Sequence, residues 1–530
     1  DSWLLAIQLS ERNKNMKKQM YINLIAQTIA YAVNLAISFF LTPYIVNHIG
    51  VEANGFVGLA NNFVEYAQLI TVALNSMAGR YITIKLHQKN QKEANKYFTA
   101  VFFANLFLAV VLTVVFSFVI VFLGSILNIS SNLVIDIKIL WALIFANFIV
   151  SLFSSIFSVS TFVVNRLDKT AIANIRGIII KAVILVACYT FFKPFTFYVG
   201  IAMLALGLNN LISHIIYKRQ LVPELKISKK EFDIKYVKEL ISSGIWNSVS
   251  KLSSILSSGL DLLITNIFVN SVAMGVMNLS KTMSNIVLSL FGTLAAIFAP
   301  QLTISYAEGD VEGMKKQLIS AIKLMGLFAA IPIAILIGFG KEFYQLWVPT
   351  QNANLLELLT IITCCNLIFA LPLEPLYNIF TVKNKIKSSS IALISFSVCS
   401  ILTVFVGLNF IHNEDAKIIY IVAVGAFYNV LRLLTFLPIY GAKCLDYKIT
   451  TFYPAILKNV LSVVILVVLA FGIGFVLHIN SWIKLILACA ILGVLGLTIN
   501  IFILFNKDER NENLKALKEK IKRSKEKVSE

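Results

Sequence analysis

A lysine and an aspartate sit where an apolar chain has to cross a membrane. The stretch NSVSKLSSILSSGLDLLI covers residues 247–264 and carries Lys251, Asp261 and a run of serines among leucines. At the helical turn angle, Asn247, Lys251, Ser254, Ser258, Asp261 and Thr265 fall within an arc of about 80°, while Leu252, Ile255, Leu256, Leu260 and Leu263 point elsewhere. A lysine facing lipid at mid-membrane costs at least ~2.5–3.5 kcal/mol, so it needs water, an anion or an acid beside it. Lys251 and Asp261 stand ~15 Å apart along one helix and cannot neutralise each other there. The stripe therefore reads as a cavity wall, with Lys251 available to an anionic group.

Other segments repeat the pattern. Asn278, Lys281 and Asn285 follow at i, i+3 and i+7, Gln27, Tyr31 and Asn34 share a face near the start, and Asn61 precedes Glu65 on another. Lys181, Arg432 and Lys458 add cations inside apolar stretches, where acids are fewer. This excess of cations points to an anionic substrate group, for which Lys251, Lys281, Arg432 and Lys181 are the candidates. The asparagine, serine, glutamine and tyrosine positions suit a hydroxyl-rich head group, although small serines also let helices pack closely. Glu65 and Asp261 are the candidate ion-coupling acids. Nothing indicates catalysis, a metal or a cofactor. The six cysteines have no CxxC spacing, the five histidines are far apart, and no nucleotide-binding motif is present.

The elements that position these residues follow from composition. Hydrophobic residues make up 58% of the 530 and charged residues 14%, against about 25% charged in soluble domains. Fourteen segments between residues 20 and 505 are long and apolar enough to span a bilayer. Of the 46 lysines and arginines, 36 fall in the two tails and alternate connections, five on the opposite side and five inside spans. That asymmetry predicts a multi-pass protein with both termini cytoplasmic. It also accounts for the net charge of +19 without nucleic acid as a partner. The start, DSWLLAIQLSERNKN, has too short an apolar core for a secretory signal, and Met16, opening MKKQMYINLIAQ, is a candidate natural start.

A weak internal repeat appears at an offset of 220 residues. Gly55 matches Gly275, Leu59 matches Leu279, Leu74 matches Leu294 and Lys96 matches Lys316. Further on, NRLDKTAIA (165–173) matches NKIKSSSIA (384–392). The repeat unit is six helices, an even number, so both copies enter from the same side and are related by an axis along the membrane normal. The expected fold is an all-α polytopic membrane protein. It has about 14 transmembrane helices in two six-helix lobes related by a pseudo-two-fold, plus two extra C-terminal helices. The expected divisions are a cytoplasmic tail (1–19), an N-lobe (20–217), a basic linker (218–238), a C-lobe (239–440), spans 13 and 14 (441–505) and a basic tail (506–530).

The segment LTPYIVNHIGVEANGFVGLANNFVEYAQLITVALNSMAGRYITIKLHQKNQKEANKYFTA (41–100) resembles the N-terminal signature of polysaccharide flippases. A span ends in a glycine turn, Gly55-Phe56 follows, and a small-residue helix ends at Arg80 before the Lys89–Lys96 link. Span count and repeat extend the resemblance over nearly the whole chain. It resembles the O-antigen and capsule exporters of the multidrug/oligosaccharidyl-lipid/polysaccharide superfamily. The resemblance implies a bacterial cytoplasmic-membrane transporter that turns undecaprenyl-pyrophosphate-linked oligosaccharides from the inner to the outer leaflet by alternating access, and is not an enzyme. The pyrophosphate would meet the span cations, the sugars the polar faces, and the prenyl tail the lipid bilayer. Polysaccharide polymerase and chain-length machinery would be the protein partners. The alternatives are an ion-coupled multidrug (MATE-like) antiporter, which the lysine-rich spans disfavour, and a lipid II flippase.

Overall fold

The computed structural model describes residues 2–298, 302, 305–306, 308–383 and 385–511. Every regular element among them is helical. The long ones are α1 (Ser2–His87), α2 (Gln91–Val121), α3 (Val134–Val163), α4 (Leu167–Phe191), α5 (Phe197–Leu221) and α6 (Ile234–Ser254). A π-helical turn (Ile255–Gly259) then leads into α7 (Asp261–Phe268) and α8 (Ser271–Ala296). After these come α9 (Val311–Gly338), α10 (Ala353–Leu373), α11 (Ile386–Leu408), α12 (Glu414–Cys444), α13 (Tyr453–Leu477) and α14 (Trp482–Leu504).

Among the described residues, eleven helices are long and apolar enough to cross a membrane. The first of these, Ile25–His87, runs to 63 residues, about three times what one crossing needs. It is two crossings joined at Gly50, whose φ of 82° and ψ of 167° break the helix where a side chain would be strained. The helices at the expected seventh and eighth spans, α6 to α8, are not among the eleven. In α6 and α8 the lysines, serines and asparagines of the polar stripe lower the hydropathy, and α7, cut off by the π turn, is only eight residues long. Polar side chains close several helix starts, with Asn90 accepting from the Glu93 amide and Asp310 from the Gly313 amide.

The chain packs as two compact units, residues 1–278 and 279–530. The second sequence repeat begins near residue 243, so its first helices, α6 and α7, pack within the first unit. There α3 lies along α5, and α1 along α4 and α6. A core of Leu74, Ile82, Phe98, Ile156, Val237 and Leu240 ties α1, α2, α3 and α6 together. In the second unit Leu318, Ile322, Leu373, Phe380, Leu437 and Phe452 form the corresponding cluster.

Candidate functional site: a polar seam between α1 and α6

The second crossing of α1 (residues 51–87) and α6 run antiparallel, because contacts pair rising numbers on one with falling numbers on the other. Tyr81 Oη and Ser243 Oγ share a hydrogen bond of 2.9 Å, and Asn247 Nδ2 donates to Ser76 Oγ at 2.9 Å. Ser248 Oγ donates to the Leu69 carbonyl at 2.8 Å, and Gly244 packs against the Ala73 carbonyl. Part of the serine-rich face is thus a helix-packing surface, where hydroxyls and amides bond across instead of meeting lipid.

Midway along the seam, Lys251 Nζ lies 3.0 Å from Glu65 Oε2. The pair joins a cation and an acid that the sequence placed on separate helices with separate roles. Side-chain exposure is 24% for Lys251 and 48% for Glu65, so the pair is open on the glutamate side. A salt bridge this exposed contributes on the order of 1 kcal/mol or less. It compensates the lysine's charge and remains cheap to exchange.

One turn beyond, the helix widens into the π turn. The Gly259 carbonyl accepts Asn62 Nδ2 at 3.0 Å and Tyr66 Oη at 2.5 Å, both from α1. π turns often mark functional positions in helices, and this one separates the Lys251 half of the stripe from the Asp261 half. Beyond it, the buried Thr265 donates to the Asp261 carbonyl at 2.8 Å, and Asn278 Nδ2 reaches the Asn54 carbonyl at 3.3 Å.

The remaining sequence candidates are dispersed. Gln27 donates to the Leu167 carbonyl at 3.2 Å and so ties α1 to the start of α4. Tyr31 is half-buried and Asn34 exposed, while Asn61 Nδ2 turns back to the Val57 carbonyl of its own helix. Ser254 is exposed and Lys181 half-buried on α4; the side chain of Ser258 lies outside the described residues. Lys281, Asn285 and Arg432 belong to the second unit. There Arg432, 8% exposed, donates through Nη1 to Tyr377 Oη at 2.6 Å, with Glu374 within electrostatic reach. Among the described residues no cluster of histidines, cysteines and acids could hold a metal ion.

Sequence reasoning missed two features. Tyr66 and Asn62 brace the π turn, and no periodicity marks them, since their partner is a backbone carbonyl. Lys323 lies within α9, only 7% exposed, with Nζ 2.5 Å from Glu509 Oε1. Lysine counting places it with its basic neighbours, and only the fold reveals the acid past α14 that holds it.

Residues 20–303, more than half the chain, match the family model described as "Polysaccharide biosynthesis protein". A Bacillus subtilis (strain 168) protein described as "Uncharacterized membrane protein EpsK" is 26% identical over 465 residues, spanning 88% of this chain and 91% of its own. Among solved structures, an inward-facing MATE family transporter of the MOP superfamily superposes with a TM-score of 0.65 at 15% identity, covering 78% of this chain and 98% of its own. The lipid II flippase MurJ, in an inward closed conformation, gives 0.64 at 13% identity, covering 91% and 98%. At such identities the two likenesses establish the helical fold shared with flippases and extrusion transporters. With a multi-pass helical fold and a family match over residues 20–303, the chain is a membrane protein that belongs to the polysaccharide biosynthesis protein family.

Proposed function

We propose that this protein turns a lipid-linked oligosaccharide, joined to its polyprenyl carrier through a pyrophosphate, from the inner to the outer leaflet of the bacterial cytoplasmic membrane. The observation that carries the reading is the Lys251–Glu65 pair, a displaceable ion pair within the polar seam of a polysaccharide biosynthesis family member.

A phosphate oxygen offers Lys251 the same kind of partner as the Glu65 carboxylate. Entry of the substrate therefore exchanges one oxyanion for another, with no charge left uncompensated in the span. Glu65, released from the lysine, is then free to take a proton or a cation. That exchange links substrate binding to ion movement, and the two repeat lobes respond by alternating access. Hydroxyl and amide groups such as Ser254 and Asn34, exposed in this fold, suit the sugars.

Deleting the gene and extracting the lipids tests the reading. Lipid-linked repeat units should accumulate and surface polysaccharide should fall, with wild-type protein, but not Lys251→Met, restoring export at equal membrane abundance. Unchanged lipid pools in the deletion strain would refute it.

A further inference from the structure

On α4, away from the seam, Ile172, Arg176, Ile179 and Val183 fall within an arc of about 60°, and all four are exposed. Isoleucine and valine on the outside of a spanning helix are the side chains that acyl chains cover. Arg176 stands among them, in a helix apolar enough to cross a membrane. An arginine facing lipid is costly unless an anion reaches it.

The guanidinium is held by α5. Its Nε donates to Asn209 Oδ1 at 2.7 Å, and its Nη2 to Ser213 Oγ. Asn209 gives its own amide to the Ala173 carbonyl at 2.9 Å, and Asn210 Nδ2 bonds Asn174 Oδ1 at 3.0 Å. Gly177 lets the helices approach this closely, since a Cβ there would stand 3.1 Å from Asn209 Nδ2. Both partners of the guanidinium are neutral, and no described carboxylate forms an ion pair with it. Its Nη1 makes no hydrogen bond to any described residue.

The direction of the side chain matters as much as its partners. A helical side chain leans toward the N-terminus of its helix, and Ser213 lies one turn past Asn209 toward the end of α5. The guanidinium therefore reaches toward the ends of α4 and α5 that lysine counting expects in the cytoplasm. Lys169, at i to Arg176 at i+7, lies within about 20° of it on the same face of α4. Its Nζ stands 5.8 Å from the centre of the Tyr217 ring, one turn beyond Ser213. Asp168 is within electrostatic reach of Lys169 but is bonded by Arg166 through both oxygens, at 2.9 and 3.0 Å. Two cations without an ion pair thus share one face near the helix ends, beside side chains suited to acyl chains. That combination is complementary to an anion joined to an apolar chain.

We infer that this α4–α5 face binds the phosphate of an anionic phospholipid of the inner leaflet, with the free edge of the Arg176 guanidinium on two phosphate oxygens and Lys169 beside them. Asn209 and Ser213 hold the fork in place before the lipid arrives, so little freedom is lost on binding. Basic pockets between membrane helices on the cytoplasmic side are where lipid head groups are taken up. The bound lipid fixes α4 and α5 against the leaflet. The site is separate from the Lys251–Glu65 seam and does not rest on the flippase reading.

The test is native mass spectrometry of the purified full chain with phosphatidylglycerol or phosphatidylethanolamine added. The proteins compared are the wild type, Arg176→Gln, Lys169→Gln and Lys443→Gln, the last removing an exposed charge near the end of α12. Wild type should retain phosphatidylglycerol in preference to phosphatidylethanolamine. Arg176→Gln should weaken that retention on the order of tenfold, as expected for a lost charged contact, and Lys169→Gln by less. Lys443→Gln should leave it unchanged. Lys169→Gln, which breaks no cross-helix hydrogen bond, carries the test if Arg176→Gln does not fold. Retention in the α4 variants equal to that in Lys443→Gln would overturn the site, as would equal retention of the two phospholipids by wild type. Displacement of phosphatidylglycerol by an equal amount of undecaprenyl phosphate would assign the face to the carrier lipid and overturn the phospholipid as its occupant.

Discussion

Gly55 and Gly275, matched by the sequence repeat 220 residues apart, touch each other: a Cβ on Gly55 would stand 2.7 Å from the Gly275 Cα. One turn on, Gly58 meets Asn278, again its own counterpart at the same offset. Residues that contact their own equivalents are what a two-fold relation between two helices produces. The weak repeat is thus matched by a physical crossing, at which the backbones of α1 and α8 approach too closely for side chains.

That crossing is sensitive to one methyl group. Gly275→Ala would push a Cβ against the Val51 carbonyl, which is backbone and cannot rotate away. The expected cost is about 1–3 kcal/mol, seen as a lower thermal midpoint in detergent. Gly425→Ala, with nothing within 4 Å of its Cβ and a helix around it, should leave the midpoint unchanged or raise it. Equal behaviour of the two variants would mean that the crossing is not held this tightly.

Lys251 and Glu65 should couple. In a double-mutant cycle of Lys251→Met and Glu65→Gln, the stability coupling should be on the order of 1 kcal/mol or less, because Glu65 is half exposed. Export should fall more steeply for Lys251→Met than for Glu65→Gln, since the lysine is the group offered to phosphate. Strictly additive stabilities would show that the two side chains do not pair.

The π turn depends on two donors from α1. Removing both, with Asn62→Leu and Tyr66→Phe, leaves the Gly259 carbonyl without its cross-helix partners. The expected loss is about 1–3 kcal/mol for the double variant, and clearly less for either single change while one donor remains. Thermal unfolding of the three variants decides this, and a double variant as stable as wild type would contradict it.

Glu509 lies past the last span and holds Lys323. Burial pushes its carboxyl up, but the bond from Lys323 and that from the Asn506 amide outweigh this and leave it below the usual carboxylate range. A carboxyl depressed in the folded state contributes stability above its unfolded pKa and loses it as pH falls through the folded value. The contact should therefore be intact at neutral pH and weaken only in acid, below the ordinary carboxylate range. Glu509→Gln strands a buried ammonium and should cost up to about 3 kcal/mol, the acid being partly exposed. Lys323→Met in that background should restore most of the loss, and no restoration would exclude the pairing.

Much of this was legible in the chain. Hydropathy marked most of the long helices, although the expected seventh and eighth spans are not among the eleven apolar ones of the described residues, and the repeat marked Gly55 and Gly275 as equivalent. Angular placement put Lys251 and Glu65 on polar faces of different helices. That the two faces meet was not legible, because a stripe looks the same whether it borders water or another helix. Gln27 and Asn61 illustrate the limit, each spending its amide on a backbone carbonyl that no side-chain pattern announces. Lys323 illustrates another, since its partner stands 186 residues away in the basic tail.

The most direct measurement is translocation itself. Purified protein in liposomes, with a labelled undecaprenyl-pyrophosphate oligosaccharide in both leaflets, allows an added glycosidase to cleave only the outward-facing head groups. Wild-type protein should let cleavage proceed beyond the outer half of the label, whereas Lys251→Met should stop near that half. Cleavage that halts at the outer half with wild-type protein, under a proton gradient, a sodium gradient and a membrane potential alike, would contradict the flippase assignment.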